Sequence, residues 1–153
     1  MIWILFKRLL YFTLVILLIS CKTEDKILSI NTNLLIKAGY VCGWGSGTDS
    51  LKISKTGISY SFYIPSQSAK PQIMKSRSIS DAEWSEILKC VRLDEFTKLN
   101  YNTCNVCFDG CDEWISMQSD QSFHKITFNK GLKIDTIGQL QLKIASLRSE
   151  FNP

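Results

Sequence analysis

The residues best suited to chemistry are the cysteines. The chain has six in 153 residues, and three of them crowd into Cys104-Asn-Val-Cys107-Phe-Asp-Gly-Cys111. Thiols at this spacing serve three different chemistries. A Cys-x-x-Cys pair does redox work when its first cysteine starts a helix, where the helix dipole lowers the thiol pKa. Here Asn102-Thr103 and Asp109-Gly110 read as loop and the following segment as strand, so the thioredoxin-type reading lacks its helix. A second chemistry is zinc: Cys104, Cys107 and Cys111 with His124, the single histidine, make a tetrahedral Cys3His set. The third is disulfide bonding, which depends on the compartment.

Other constellations point to less. Asp109, Asp112 and Glu113 flank Gly110 like a calcium loop, but the D-x-[DN]-x-[DN]-G order is not met; an acidic turn beside a cysteine bridge is the simpler expectation. Four glycines within Gly39–Gly47 suggest turns or a bulge around one short strand. They lack the G-x-x-x-x-G-K-[ST] spacing, and no helix follows to hold a phosphate. There is no nucleophile elbow and no H-E-x-x-H, and His124 has no visible partner for acid–base work. The sequence therefore offers no catalytic constellation, and a non-enzymatic role is expected. Trp44, Trp84, Trp114 and the tyrosines could line a ligand groove. Trp84 and Trp114 fall on core-facing positions of the pattern, so core is the default expectation, and Trp44 in the glycine segment is the one whose exposure decides whether a groove exists.

The compartment is written at the N-terminus. Lys7-Arg8 precede Leu9–Ile19, eleven residues without a charge. A membrane-crossing helix needs about 20 apolar residues, so this length suits the apolar core of an export signal. A continuous anchor starting at Met1 would bury Lys7 and Arg8, at about 3 kcal/mol each. The run ends in Leu18-Ile19-Ser20-Cys21, which resembles the lipobox of bacterial lipoproteins. That resemblance implies removal of residues 1–20, a diacylglycerol on the Cys21 sulfur and, usually, acylation of its amino group. Two or more chains, at about 0.8 kcal/mol per buried CH2, hold a protein on the membrane where one does not. Residues 21–37 then form a lipidated tether and linker, and 38–153 a single domain. Lys22 rather than an aspartate follows Cys21, which favours the outer membrane of the cell envelope. Together with CNVCFDGCDEW (104–114), the lipobox makes the chain similar to small cysteine-containing envelope lipoproteins, a resemblance that implies no activity.

Export settles the expectation for the thiols. Disulfides persist in oxidising spaces. With Cys21 acylated, Cys42, Cys90, Cys104, Cys107 and Cys111 remain and allow 15 pairings of two bridges. The favoured arrangement is one short bridge within 104–111 and one from Cys42 to that cluster, with Cys90 left free; zinc on Cys104, Cys107, Cys111 and His124 is the alternative. Losing Lys7 and Arg8 lowers the formal charge from +4 to +2, and no basic run remains to attract nucleic acid. The partners expected are the membrane itself, through the anchor, and an envelope protein or glycan.

The elements that must position these residues follow from periodicity. Leu51 and Ile53, then Ile58, Tyr60, Phe62 and Ile64, alternate across Lys55-Thr56-Gly57 as a hairpin with one apolar face. Gln72–Ser78 adds a strand. Ser80-x-x-Glu83 is a capping box, and Trp84, Ile87, Leu88 and Val91 follow as one helical stripe. Leu93, Phe96 and Leu99 add a further helical turn or two. Trp114–Gln118 and Phe123–Phe128 read as strands, Asn129-Lys130-Gly131 as a turn into Leu132–Ile134. Ile137, Leu140, Ile144, Leu147 and Phe151 mark a final helix starting at Asp135 or Thr136. The order predicts an α+β fold: an antiparallel sheet of five to six strands with two helices on one face. Function is expected to be binding or envelope interaction, with an enzyme or inhibitor-like site near the cysteine/acid loop as the rival.

Overall fold

The computed structural model describes residues 33–120 and 122–151. The chain separates into two units, Met1–Ile30 and Asn31–Pro153, and the described residues belong to the second. The signal segment, Cys21 and most of the tether lie outside the described residues.

Six strands alternate in direction: β1 (Leu35–Cys42), β2 (Thr48–Ser54), β3 (Gly57–Tyr63), β4 (Ile73–Arg77), β5 (Cys111–Gln118) and β6 (Phe123–Asn129). They form one antiparallel sheet in the order β4-β3-β2-β1-β5-β6. Among the described residues three α-helices accompany it: α1 (Asp81–Lys89), the single turn α2 (Leu93–Phe96) and α3 (Gly138–Phe151). The fold is α+β.

Because side chains alternate across a strand, the register sorts the sheet into two faces. On the helix side, cross-strand neighbours form three rows. The first is Ile73, Phe62, Asp49, Tyr40, Glu113 and Phe128; the second Lys75, Tyr60, Leu51, Ala38, Ile115 and Ile126; the third Arg77, Ile58, Ile53, Ile36, Met117 and His124. The second and third rows are the apolar floor of the core. Onto it pack Trp84 and Ile87 of α1, Phe96 of α2, and Leu140, Ile144, Leu147 and Phe151 of α3. Each such side chain contributes about 2 kcal/mol by leaving water. The first row is polar at its centre, and this row, not the cysteine loop, organises the candidate site.

Local devices fix the helices. Ser80 Oγ accepts from the Glu83 N–H at 3.1 Å, half of the expected capping box. The Glu83 carboxylate instead takes both Nη groups of Arg77, at 2.9 and 2.6 Å. Arg77 Nη2 also lies 2.8 Å from Glu150, so one guanidinium on edge strand β4 ties down α1 and α3 together. At the end of α3, Lys75 Nζ donates to the Phe151 carbonyl at 2.7 Å, and the Phe151 ring stacks on Tyr60.

Two expectations are corrected. The linker ends earlier than residue 37, since β1 begins at Leu35 and both Leu34 and Ile36 are buried in the core. Trp114 does not face the core. Ile115 and Met117 hold that side of β5, and Glu113 shares it because Arg148 meets it there. Leu132–Ile134, into which the Asn129-Lys130-Gly131 turn leads, is irregular chain.

Candidate functional site

The cysteine loop is a staple. Cys42 and Cys111, paired across β1 and β5, are bridged, and Cys104 is bridged to Cys107. The zinc arrangement is overturned: all three of its sulfurs are bonded to sulfur, and His124 pairs with Met117, six residues along β5 from Cys111, about 20 Å. His124 Nε2 sits 2.9 Å from the Leu99 carbonyl and its ring meets Phe96 edge-on, so it joins β6 to the α2 region. Among the described residues no group of three or more His, Cys, Asp and Glu could hold a metal. Cys90 is a free, half-buried thiol at the end of α1.

The acidic turn splits by strand alternation. Asp112, on the open face, is 1% exposed and accepts from Thr103 Oγ1 and Asn105 Nδ2, both at 2.7 Å, and from the Val106 N–H at 3.0 Å. Burial pushes its carboxyl up, but these donors together hold it below the usual carboxylate range. It builds the loop that contains the Cys104–Cys107 bridge. Asp109 takes a left-handed conformation at the loop's end. Glu113 points the opposite way, into the core row. Trp44 is 81% exposed on a tight turn, with φ of 55°. This turn lies against the cysteine loop: the Gly43 N–H donates to the Gly110 carbonyl at 2.8 Å, and a Cβ at Gly43 would come within 2.7 Å of Asp109. Trp44, His124 and the acids are therefore not gathered into one pocket. Glu113 and the His124 row alone are four residues apart along β5, about 13 Å.

What the structure does assemble is a polar cluster at the end of the core. Arg148 of α3 reaches Asp49, with Nε 2.9 Å from Oδ2, and Glu113, with Nη1 3.4 Å from Oε1. The Asp49 contact is charge against charge without an aligned hydrogen bond, while its Oδ1 accepts from the Tyr40 N–H at 2.9 Å. The Asp49 side chain is fully buried. That burial raises its carboxyl, and Arg148 offsets only part of the rise. Lys130 Nζ lies 4.0 Å over the Tyr40 ring, with Arg148 also facing that ring. The Tyr60 hydroxyl is buried with no partner, and burial together with nearby Asp49 pushes it up to about 12.

Beside this cluster a cleft of about 490 Å³ opens between α3 and the sheet. Ile115, Phe128, Ile134, Leu142 and Ala145 give it apolar walls, and Glu113 with Arg148 gives it a charged end. Gly138 opens α3 at the mouth, where a Cβ would meet nothing within 4 Å. Leu132 and Leu142 stand exposed at its rim. Such a cleft accepts an apolar body with one polar group. Tyr40, Asp49 and Arg148 do not stand out in the sequence as site residues. The available signal was Asp49 falling in phase with Leu51 and Ile53, a charge on the buried side of a strand.

The chain matches no protein-family model and no curated protein sequence.

Proposed function

We propose that this protein is an envelope lipoprotein whose domain is a non-catalytic binding module, held by lipid on Cys21 and taking a largely apolar ligand into the α3 cleft. The cleft is the observation that carries the binding reading. Its apolar walls supply affinity by burial, and the Glu113–Arg148 pair at one end supplies a polar foothold that fixes orientation. The two disulfides support an oxidising compartment, since such bonds are rare where thiols are kept reduced. The lipobox supports the anchor and, through Lys22, the outer membrane. No helix among the described residues is long and apolar enough to cross a membrane.

Two measurements test the two halves separately. Metabolic labelling with a palmitate analogue should mark the native chain and not Cys21→Ala; equal labelling of both refutes the anchor. Titration with an apolar dye that brightens in dry surroundings should saturate at one dye per chain. A weak rise without saturation refutes the binding site.

A further inference from the structure

The face of the sheet turned away from the helices carries a second feature. Its strands contribute Lys37, Lys52 and Lys125, and a single acid, Asp112, whose oxygens are already taken by the loop above it. Lys37 and Lys125 flank Ser116 in one cross-strand row. Neighbours in such a row lie about 5 Å apart, so the two ammonium groups can close on one small anion above the serine. No ion pair among the described residues engages either lysine; Lys125 Nζ instead lies 5.1 Å over the Trp114 ring. Trp114, Phe123 and these lysines line a hollow of about 200 Å³, and Phe123 is 65% exposed.

The position of this hollow says what covers it. Leu35, where the chain coming from Cys21 enters the sheet, is paired with Gln118, which is paired with Phe123. The lysine–aromatic hollow thus sits at the end of the domain where the tether enters the sheet, at the start of β1. The one acid hydrogen-bonded there, Asp120, is held by Asn33. An exposed aromatic ring beside lysines whose stems can lie along apolar surface is the combination that settles at a lipid headgroup layer. Basic side chains at such a layer are attracted to anionic lipid and lose that attraction beyond a Debye length.

We propose that this tether end of the open face docks on the anionic membrane surface, with Lys37 and Lys125 on lipid phosphate and Phe123 at the headgroup boundary. The docking rests on the lipid-anchor reading. It fixes the domain with its sheet on the membrane and leaves the α3 cleft on the opposite layer free for ligand.

The test uses the mature protein extracted from membranes, with the mass at Cys21 measured first, then reconstituted in phosphatidylcholine vesicles with or without phosphatidylglycerol. An amine-reactive reagent reports Lys37 and Lys125 against Lys70, which is exposed on the loop at the other end of the sheet. The docking predicts that both lysines react about tenfold more slowly than Lys70 only in the anionic vesicles, and that high salt restores them. Equal reactivity in both vesicles, with acyl chains present on Cys21, overturns the docking and leaves the anchor standing. A Cys21 without acyl chains overturns the anchor and the docking with it. Protection by inorganic phosphate in detergent, without vesicles, overturns it in favour of a soluble phosphate ligand.

Discussion

At the residue scale, two buried polar groups set the pH limits of the domain. Tyr60 holds its proton to about 12, against an ordinary 10. The folded value is the higher one, so its contribution is complete below pH 10 and is lost as pH rises towards 12. Tyr60→Phe removes a buried hydroxyl that has no partner and should raise stability by about 1 kcal/mol. It should also flatten the alkaline unfolding curve over that window, as urea titrations at pH 9 and 11.5 would show. Asp112 behaves oppositely. Its folded value is depressed, so its stability is present above the ordinary carboxylate value and disappears as pH falls through the folded one. Asp112→Ala leaves three donors unpaired and should cost about 2–3 kcal/mol; Asp112→Asn, which keeps the shape, should lose less. Equal losses from both variants in urea titration would mean that the charge has no part in the loop.

At the element scale, the hairpin and the long helices were legible because their apolar periods are clean. Leu51, Ile53, Ile58 and Tyr60 all face the core, and every residue of the stripe Ile137, Leu140, Ile144, Leu147 and Phe151 is buried. What the pattern misread has a common cause: a charge on a core-facing position. Glu113 in β5 made Trp114 look like the inward residue, because a strand with Glu on its buried side makes sense only once Arg148, 35 residues away, is brought against it. Local sequence cannot contain that partner. Glycine-rich Gly39–Gly47 hid the length of β1 for a similar reason. Gly39 is a strand residue, with the Asp49 carbonyl and the Trp114 indole occupying the space a Cβ would need, so Gly39→Ala should be strongly destabilising although the site lies in regular sheet. The bridge between β1 and β5 closes a loop of 69 residues. Loop-closure entropy gives such a bond about 4 kcal/mol, against about 2 for the short Cys104–Cys107 bridge. Cys42→Ala with Cys111→Ala should therefore lower the thermal midpoint more than Cys104→Ala with Cys107→Ala, a ranking that calorimetry would check.

At the scale of the whole molecule, the layers divide the work. One side of the sheet holds the core, the Asp49–Arg148–Glu113 cluster and the cleft; the other is polar, with lysines towards the tether end. Arg148 connects stability to the site, since it is the cation facing both buried Asp49 and half-buried Glu113. Arg148→Ala should cost about 3 kcal/mol near neutral pH by stranding Asp49. The folded Asp49 value is already raised, so stability is lost as pH rises through it, and removing Arg148 widens that window. The deficit of the variant should thus shrink as pH falls towards 4. The cleft itself was not legible in the sequence, because its walls come from three strands, a loop and a helix, with Gly138 among the residues that line it. That same glycine gives the most direct test of the binding reading. A leucine at Gly138 has space for its Cβ and suits a helix, so Gly138→Leu should fold as stably as the native chain while filling the mouth of the cleft. Titrating both proteins with the apolar dye should give one saturable site in the native chain and none in Gly138→Leu; unchanged one-to-one binding in the folded variant would contradict the cleft as the ligand site.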